Sequence, residues 1–86
     1  MTRYAFSYSM SDDVALIRET VPQHVHYWKM LDLPDYIGGP FADRSGGLIT
    51  FSAADDEVAG RLAASGPFVK TGAVTEYWVR QWMVEA

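Results

Sequence analysis

Residues 4–14 read YAFSYSMSDDV, and this stretch decides how the fold begins. The aromatic residues Tyr4, Phe6 and Tyr8 alternate with small residues, which is the period of two expected for a β-strand. Ser11 and the two acidic residues after it resemble the N-cap and first turn of a helix. The sequence therefore predicts a strand that is followed directly by a helix.

Hydrophobic residues then recur every three or four positions, which predicts one face of a helix. The positions are Val14, Ile17, Val21, His24, Trp28 and Leu31. Pro22 interrupts this pattern because proline donates no backbone N–H and its ring crowds the preceding turn. Two interpretations fit: one kinked helix, or a short first turn and a main helix that begins at Pro22. We favour the second, with the main helix over about 22–31.

The second half of the chain alternates strands, turns and a second helix. Residues 36–37 predict a short strand, and residues 48–51 predict an apolar strand at the centre of the sheet. Ser52 and Asp55 resemble a capping box, and Gly66-Pro67 is expected to end the helix that follows. Residues 73–84 predict a last strand with apolar residues on both faces. The order is β-α-β-β-α-β, the ferredoxin-like arrangement of an α+β fold.

The composition limits the class of protein. The 86 residues are expected to form one domain, residues 1–86, because half of this length would be too small for a second core. Seven Lys and Arg against eleven Asp and Glu give a net charge of −4, which argues against nucleic acid and membrane as partners. The chain has no Cys, so thiolate zinc sites and Cys nucleophiles are excluded. No long apolar run opens the chain, and a cytoplasmic location is expected.

The chain is also short enough to favour a second subunit. A domain of this size buries only about 60% of its unfolded surface. Helices can cover one face of the predicted sheet, whereas the last strand is apolar on both faces. We therefore expect a homodimer in which two sheets pack face to face.

The two histidines carry the most informative chemistry. His24 and His26 lie two residues apart, which is about 200° around a helix axis, so both rings cannot bind one ion. We expect no metal site and no cofactor. His26 is expected on the exposed face, whereas His24 is in register with Trp28 and faces the sheet. His24 is then either a core histidine bonded to a backbone carbonyl or a general base in a pocket.

Several other residues have both a functional and a structural interpretation. Asp43 is the candidate carboxylate partner of His24, although it fits equally well as a turn-forming residue. Tyr8 and Tyr36 could offer hydroxyls to a ligand, although aromatic residues at strand spacing often belong to the core. The glycine pairs at 38–39 and 46–47 lack the residues of a phosphate-binding loop and are interpreted as turn glycines.

Four motifs in order resemble the YCII-related family of small dimeric α+β barrel proteins, over about residues 4–82. They are Pro22-Gln23-His24, Gly39-Pro40, Gly46-Gly47-Leu48-Ile49 and Pro67-Phe68-Val69-Lys70-Thr71-Gly72. The resemblance implies two ferredoxin-like protomers packed sheet to sheet as a barrel. It also implies a pocket in each protomer, with His24 as the functional residue. The chain departs from the family pattern at Gly66, where an Asp is usual, and at Val21, where an Arg is usual.

Two functions follow as expectations. The first is a cofactor-independent enzyme in which His24 moves a proton on a small apolar or aromatic molecule, in an isomerisation, cyclisation or lyase-type elimination. The second is a non-catalytic ligand-binding or accessory dimer of a metabolic or biosynthetic pathway, which the loss of the family Asp favours. The candidate catalytic residues are His24 and Asp43. The candidate substrate-binding residues are Tyr8, Trp28, Tyr36, Gly39, Pro40 and Phe68.

Overall fold

The computed structural model describes residues 1–85 and contains four strands and three helices in that range. The elements are β1 (Thr2–Met10), α1 (Val14–Leu31), β2 (Ile37–Pro40), β3 (Gly46–Ala53), α2 (Asp56–Ala64), α3 (Pro67–Thr71) and β4 (Val74–Gln81). The strands form one antiparallel sheet in the order β2-β3-β1-β4. This confirms the predicted ferredoxin-like βαββαβ fold, with α3 as an added short helix. Among residues 1–85, none of the helices has the length and apolar character that a membrane span requires.

The helix α1 is continuous, so the favoured prediction of a main helix beginning at Pro22 is wrong. Pro22 lies inside α1, where it removes one backbone hydrogen bond without ending the helix. The inner face of α1 is buried on both sides of this proline, at Thr20 before it and at Trp28 after it. Packing of this face supports the helix across the lost bond. Val21, predicted on the inner face, is 40% exposed.

Both helices that were predicted to start at a serine cap start at an aspartate instead. Asp13, not Ser11, caps α1 and accepts a hydrogen bond from the N–H three residues on, at 3.1 Å. Asp55, not Ser52, caps α2 in the same way, at 3.0 Å. Ser52 remains in β3, because this strand stays paired with β1 as far as Ala53. A carboxylate accepts the same bond as a serine hydroxyl, so the cap moves along the chain without loss.

The helix α3 was not predicted. Gly66 and Pro67 do not end α2, which finishes at Ala64; they begin α3, with the proline in its first turn. Proline suits this position because its missing N–H would have no partner in the helix. Gly72 ends α3 with a φ of 82°, in the left-handed region where glycine is favoured.

The core lies between the helices and one face of the sheet. Tyr4, Phe6 and Tyr8 of β1 are all buried on this face, which confirms the predicted alternation. Trp28 of α1 lies over them, with its ring centroid 5.9 Å from that of Phe6 and 5.6 Å from that of Phe51. Aromatic packing between α1 and the central strands therefore positions the inner side chains of the helix.

The other face of the sheet carries an open groove of about 830 Å³. Among the residues that line it, Arg3 donates to the hydroxyl of Thr50 at 2.9 Å and lies 3.7 Å from the carboxylate of Asp35. Apolar side chains flank this ion pair, among them Ile37 (69% exposed) and Trp82 (43% exposed). The open face thus combines one ion pair with exposed hydrophobic surface.

Candidate functional site

His24 lies on the inner face of α1 and is half-buried, opposite β1. Its ring stacks on that of Phe68 in α3, with centroids 3.9 Å apart and planes within 13° of parallel. Tyr8 of β1 approaches the imidazole edge-on at 6.2 Å. The Nδ1 atom of His24 is buried and has no hydrogen-bond partner. The carbonyl that a purely structural histidine would bond is therefore missing at Nδ1.

One turn further along α1, Trp28 continues the same side of the helix, because residues four apart share a face. Its ring stacks on Tyr36 with centroids 6.1 Å apart and planes 21° from parallel. His24 and Trp28 on the helix thus face Tyr8 and Tyr36 on the sheet side. Together with Phe68, these five side chains form what we call the aromatic cluster. Five of the residues predicted for the site are brought together here.

The titrating groups of the aromatic cluster are uncharged at neutral pH. Burial lowers the pKa of His24 to about 4, so its imidazole is neutral. Burial, together with the neighbouring Tyr36, raises the pKa of Tyr8 to about 12, and burial also raises the pKa of Tyr36. The cluster therefore offers one imidazole nitrogen and two hydroxyl protons without any formal charge.

The lowered pKa of His24 makes a prediction about stability against pH. Between pH 6.5 and about 4 the unfolded chain binds a proton at this residue that the folded chain does not. Above pH 6.5 the histidine is neutral in both states, so the folded state pays no penalty for keeping it unprotonated. As the pH drops from 6.5 toward 4, we expect the free energy of unfolding to fall. An NMR titration should show a His24 midpoint near 4, and His24→Gln should flatten this part of the stability curve. A His24 midpoint at or above 6.5 would contradict the buried placement.

Gly47 and Gly38 leave room for the hydroxyls of Tyr8 and Tyr36. The prediction that these two are turn glycines is wrong. A Cβ atom at Gly47 would clash with the Tyr8 hydroxyl and lie 2.8 Å from the Gly39 carbonyl oxygen. A Cβ atom at Gly38 would lie 2.9 Å from the Tyr36 hydroxyl. Both glycines lie within strands, where glycine often marks a close approach of other atoms. This strand placement is the signal that could have identified them.

The structure does not bring Asp43 into the aromatic cluster. Its carboxylate accepts hydrogen bonds from the N–H and the hydroxyl of Ser45, at 2.9 and 2.7 Å, and these bonds lower its pKa. Asp43 thus has the turn-forming contacts that its alternative interpretation predicts. Gly39 and Pro40 lie on the edge strand β2 and line the open groove on the other face of the sheet.

Gly66, where the family pattern has an Asp, caps α3 without a side-chain hydrogen bond. A Cβ atom there would lie 3.5 Å from the Ala63 carbonyl oxygen and 3.7 Å from Nε1 of Trp28, which is ordinary contact. A carboxylate would therefore fit at this position as a cap for α3, beside the indole N–H. The departure from the family pattern leaves α3 without this cap at the border of the aromatic cluster.

The fold and the site define a small α+β protein with one antiparallel sheet and a histidine set among aromatic side chains. The chain belongs to the YCII-related domain family, whose model matches residues 1–83, and this confirms the resemblance drawn from the motifs. Within the described part of the chain, no group of three or more His, Asp or Glu side chains is placed to hold a metal ion.

A solved structure shares the fold. It is the 5-chloro-2-hydroxyhydroquinone dehydrochlorinase of Burkholderia phenoliruptrix AC1100, in complex with 2,5-dihydroxybenzoquinone. The two chains match with a TM-score of 0.80 at 16% sequence identity, over 93% of this chain and 92% of that chain. No curated protein matches the chain in sequence.

Proposed function

We propose that the protein is a cofactor-independent enzyme that moves a proton on a small aromatic or apolar molecule, in a lyase-type elimination or a related isomerisation or cyclisation. The observation that supports this is the buried Nδ1 of His24, which has no partner in the fold. Leaving such an atom unpaired costs about 1–3 kcal/mol, which a bound substrate would recover. The dehydrochlorinase that shares the fold removes a proton and a halide, and this supports the elimination.

In this scheme His24 acts as the general base. Its neutral imidazole accepts a proton from an acidic O–H or C–H of the substrate, and the electron pair left behind moves through the substrate ring. In an elimination, the leaving group departs with its bonding pair as an anion. Negative charge developing on the substrate raises the pKa of the imidazolium, which offsets the effect of burial. In an elimination the proton then passes to solvent, so one molecule of acid is released in each turnover, whereas in an isomerisation or cyclisation the imidazolium returns the proton to another atom of the substrate.

Substrate carbon–deuterium exchange and halide release test this proposal. We would incubate hydroxylated benzenes, with and without a chlorine substituent, in D₂O, and measure deuterium incorporation by NMR and chloride release by electrode. The wild type should accelerate at least one of the two reactions. His26→Gln should react as the wild type does, because His26 is exposed on the same helix. His24→Gln should catalyse both reactions roughly 10²–10⁴-fold more slowly than the wild type.

Ligand binding without turnover is the second candidate function. It is favoured by the absence of a carboxylate at Nδ1 of His24. It is also favoured by Gly66, which gives α3 no side-chain cap. In this case the wild type and His24→Gln would both bind an aromatic probe saturably, and neither would exchange deuterium or release chloride. NMR titration beside the exchange assay separates the two functions.

We further infer a homodimer in which the open faces of two sheets pack together as an α+β barrel. Exposed apolar side chains on this face support it, including Ile37 at 69% and Trp78 at 41% exposure. The groove of about 830 Å³ on this face, which Ile37 and Trp82 line, gives a second sheet a surface to fill. Burial of such a hydrophobic patch is a common driving force for association.

Light scattering is expected to give the mass of two chains of 9.6 kDa each. The double variant Ile37→Glu with Trp78→Glu should give a folded single chain, because it places two charges in the apolar interface. Met30→Glu is the matched control, since Met30 is 70% exposed on α1, away from this face. A wild type that remains a stable monomer at low micromolar concentration would contradict the dimer.

A further inference from the structure

The imidazole of His24 is covered by its neighbours. The ring of Phe68 lies 3.9 Å from it and within 13° of parallel. At this distance the two rings are in van der Waals contact, so no other group fits between them. Tyr8 of β1 approaches the imidazole from the side, and the Nδ1 atom is buried. A substrate can therefore exchange a proton with Nδ1 only after one of the covering groups moves.

The elements around the imidazole differ in how firmly they are held. The strand β1 is paired with β3 on one side and with β4 on the other, and α1 is a continuous helix of 18 residues. In contrast, α3 has five residues, all of them described, and Phe68 alone among them is buried. Segments with few buried apolar contacts open at the lowest free energy. The element that can move away from His24 is therefore α3.

A glycine lies at each end of α3. Gly66 precedes the helix and gives it no side-chain cap, and Gly72 ends it with a φ of 82°. Among residues 1–85, no atom lies within 4 Å of the Cβ position at Gly72. Directly after Gly72 the chain is fixed again, because the carbonyl oxygen of Ala73 accepts from the N–H of Ser11 at 2.7 Å. The short helix is thus attached at both ends through the residue type with the greatest backbone freedom.

We propose that α3 is a lid that turns on Gly66 and Gly72, and that Phe68 is the side chain that closes it over the imidazole of His24. This inference rests on the proposed function and adds a control of access to that site. When the lid opens, the Phe68 ring leaves the imidazole and a substrate takes its place. Burial and stacking of the phenyl ring should favour the closed form by roughly 10²–10³-fold. Since a substrate binds the open fraction alone, its apparent affinity is lowered by the same factor.

Amide hydrogen exchange, measured by NMR without any ligand, tests whether α3 opens by itself. The N–H of Lys70 donates to the carbonyl of Gly66 at 3.0 Å, and that of Gly72 donates to the carbonyl of Val69 at 3.2 Å. These two amides should be protected by roughly 10²–10³-fold, whereas those of β1 should exchange through global unfolding, with protection of roughly 10⁴-fold or more. Equal protection of α3 and β1, with equal dependence on urea, would overturn the lid.

The titration of His24 tests what the lid covers. Burial lowers the pKa of this residue to about 4, so Phe68→Ala should raise the midpoint seen by NMR toward 6.5. Phe41→Ala is the matched control, because Phe41 is 42% exposed between β2 and β3 and should leave the midpoint near 4. A midpoint that stays near 4 in Phe68→Ala would show that Phe68 does not cover the imidazole, and the lid would be rejected.

A variant that holds the lid closed protects the test against a fold defect in Phe68→Ala. Gly66→Ser offers a capping hydroxyl at the start of α3, and the atom nearest to its Cβ position is 3.5 Å away, which is ordinary contact. Protection of the Lys70 N–H should rise roughly 2–5-fold, and turnover at low substrate concentration should fall by the same factor. The His24 midpoint should stay near 4. Protection that rises while turnover stays unchanged would contradict the lid.

The outcomes for the lid and for the proposed function are separable, because hydrogen exchange and titration need no substrate. If α3 opens by itself and Phe68→Ala raises the His24 midpoint, but His24→Gln turns over as the wild type does, the proposed function fails and the lid stands. If His24→Gln lowers turnover as expected, but the amides of α3 and β1 exchange together, the lid fails and the proposed function stands.

Discussion

His24→Gln is expected to lower turnover by roughly 10²–10⁴-fold while leaving the melting temperature almost unchanged. Glutamine has a polar end of similar reach, but it cannot accept a proton at neutral pH. The fold loses little, because Nδ1 of His24 has no hydrogen-bond partner that the change would leave unpaired. A structural histidine would behave differently, since losing its bond costs about 1–3 kcal/mol. Thermal melts and initial rates on the same preparations measure both quantities.

The matched control for this variant is His26→Gln. His26 lies two residues away on the exposed side of α1, so the control carries the same chemical change without touching the aromatic cluster. We expect the control to melt and react as the wild type does. A large drop in melting temperature for His24→Gln, with unchanged ligand affinity, would identify a core histidine and remove it from the site.

Much of the fold could be predicted because two periodicities in the sequence are unambiguous. Alternation in β1 and the three-to-four spacing along α1 place Tyr8 and His24 on surfaces that must face each other. For this reason the meeting of Tyr8 and His24 in the aromatic cluster could be predicted from the sequence. The continuity of α1 through Pro22 could not be predicted, because whether a proline ends a helix depends on tertiary packing on both sides of it.

The remainder of the site depends on contacts that local patterns do not contain. Asp43 has the residue type of a catalytic partner, but its hydrogen bonds with Ser45 are made two residues away within a turn. Gly38 and Gly47 resemble turn glycines until the register of β2, β3 and β1 is known. That register pairs Gly47 with Tyr8, and the position of the chain before β2 brings the Tyr36 hydroxyl to Gly38.

Gly46→Ala is expected to destabilise the fold more than any other glycine substitution in the sheet. Its Cβ atom would overlap the carbonyl oxygen of Tyr8 and lie 2.9 Å from the carbonyl carbon and 3.1 Å from Cα of Ser9. These are backbone atoms of the paired strand, so the methyl cannot be relieved by rotating a side chain. We expect a loss of about 3 kcal/mol or more in the free energy of unfolding, measured by urea denaturation.

Gly60→Ala is the matched control, and its effect should have the opposite sign. Gly60 lies inside α2 with no atom within 4 Å of its Cβ position, so alanine adds helix propensity without a clash and should gain about 0.5–1 kcal/mol. A Gly46→Ala variant within about 0.5 kcal/mol of the wild type would mean that β1 and β3 separate easily at this end. Since Tyr8 occupies that end of β1, such a separation would also move its hydroxyl away from Gly47 and from His24. The tight approach of the two backbones at Gly46 therefore fixes the position of the tyrosine as well as the stability of the sheet.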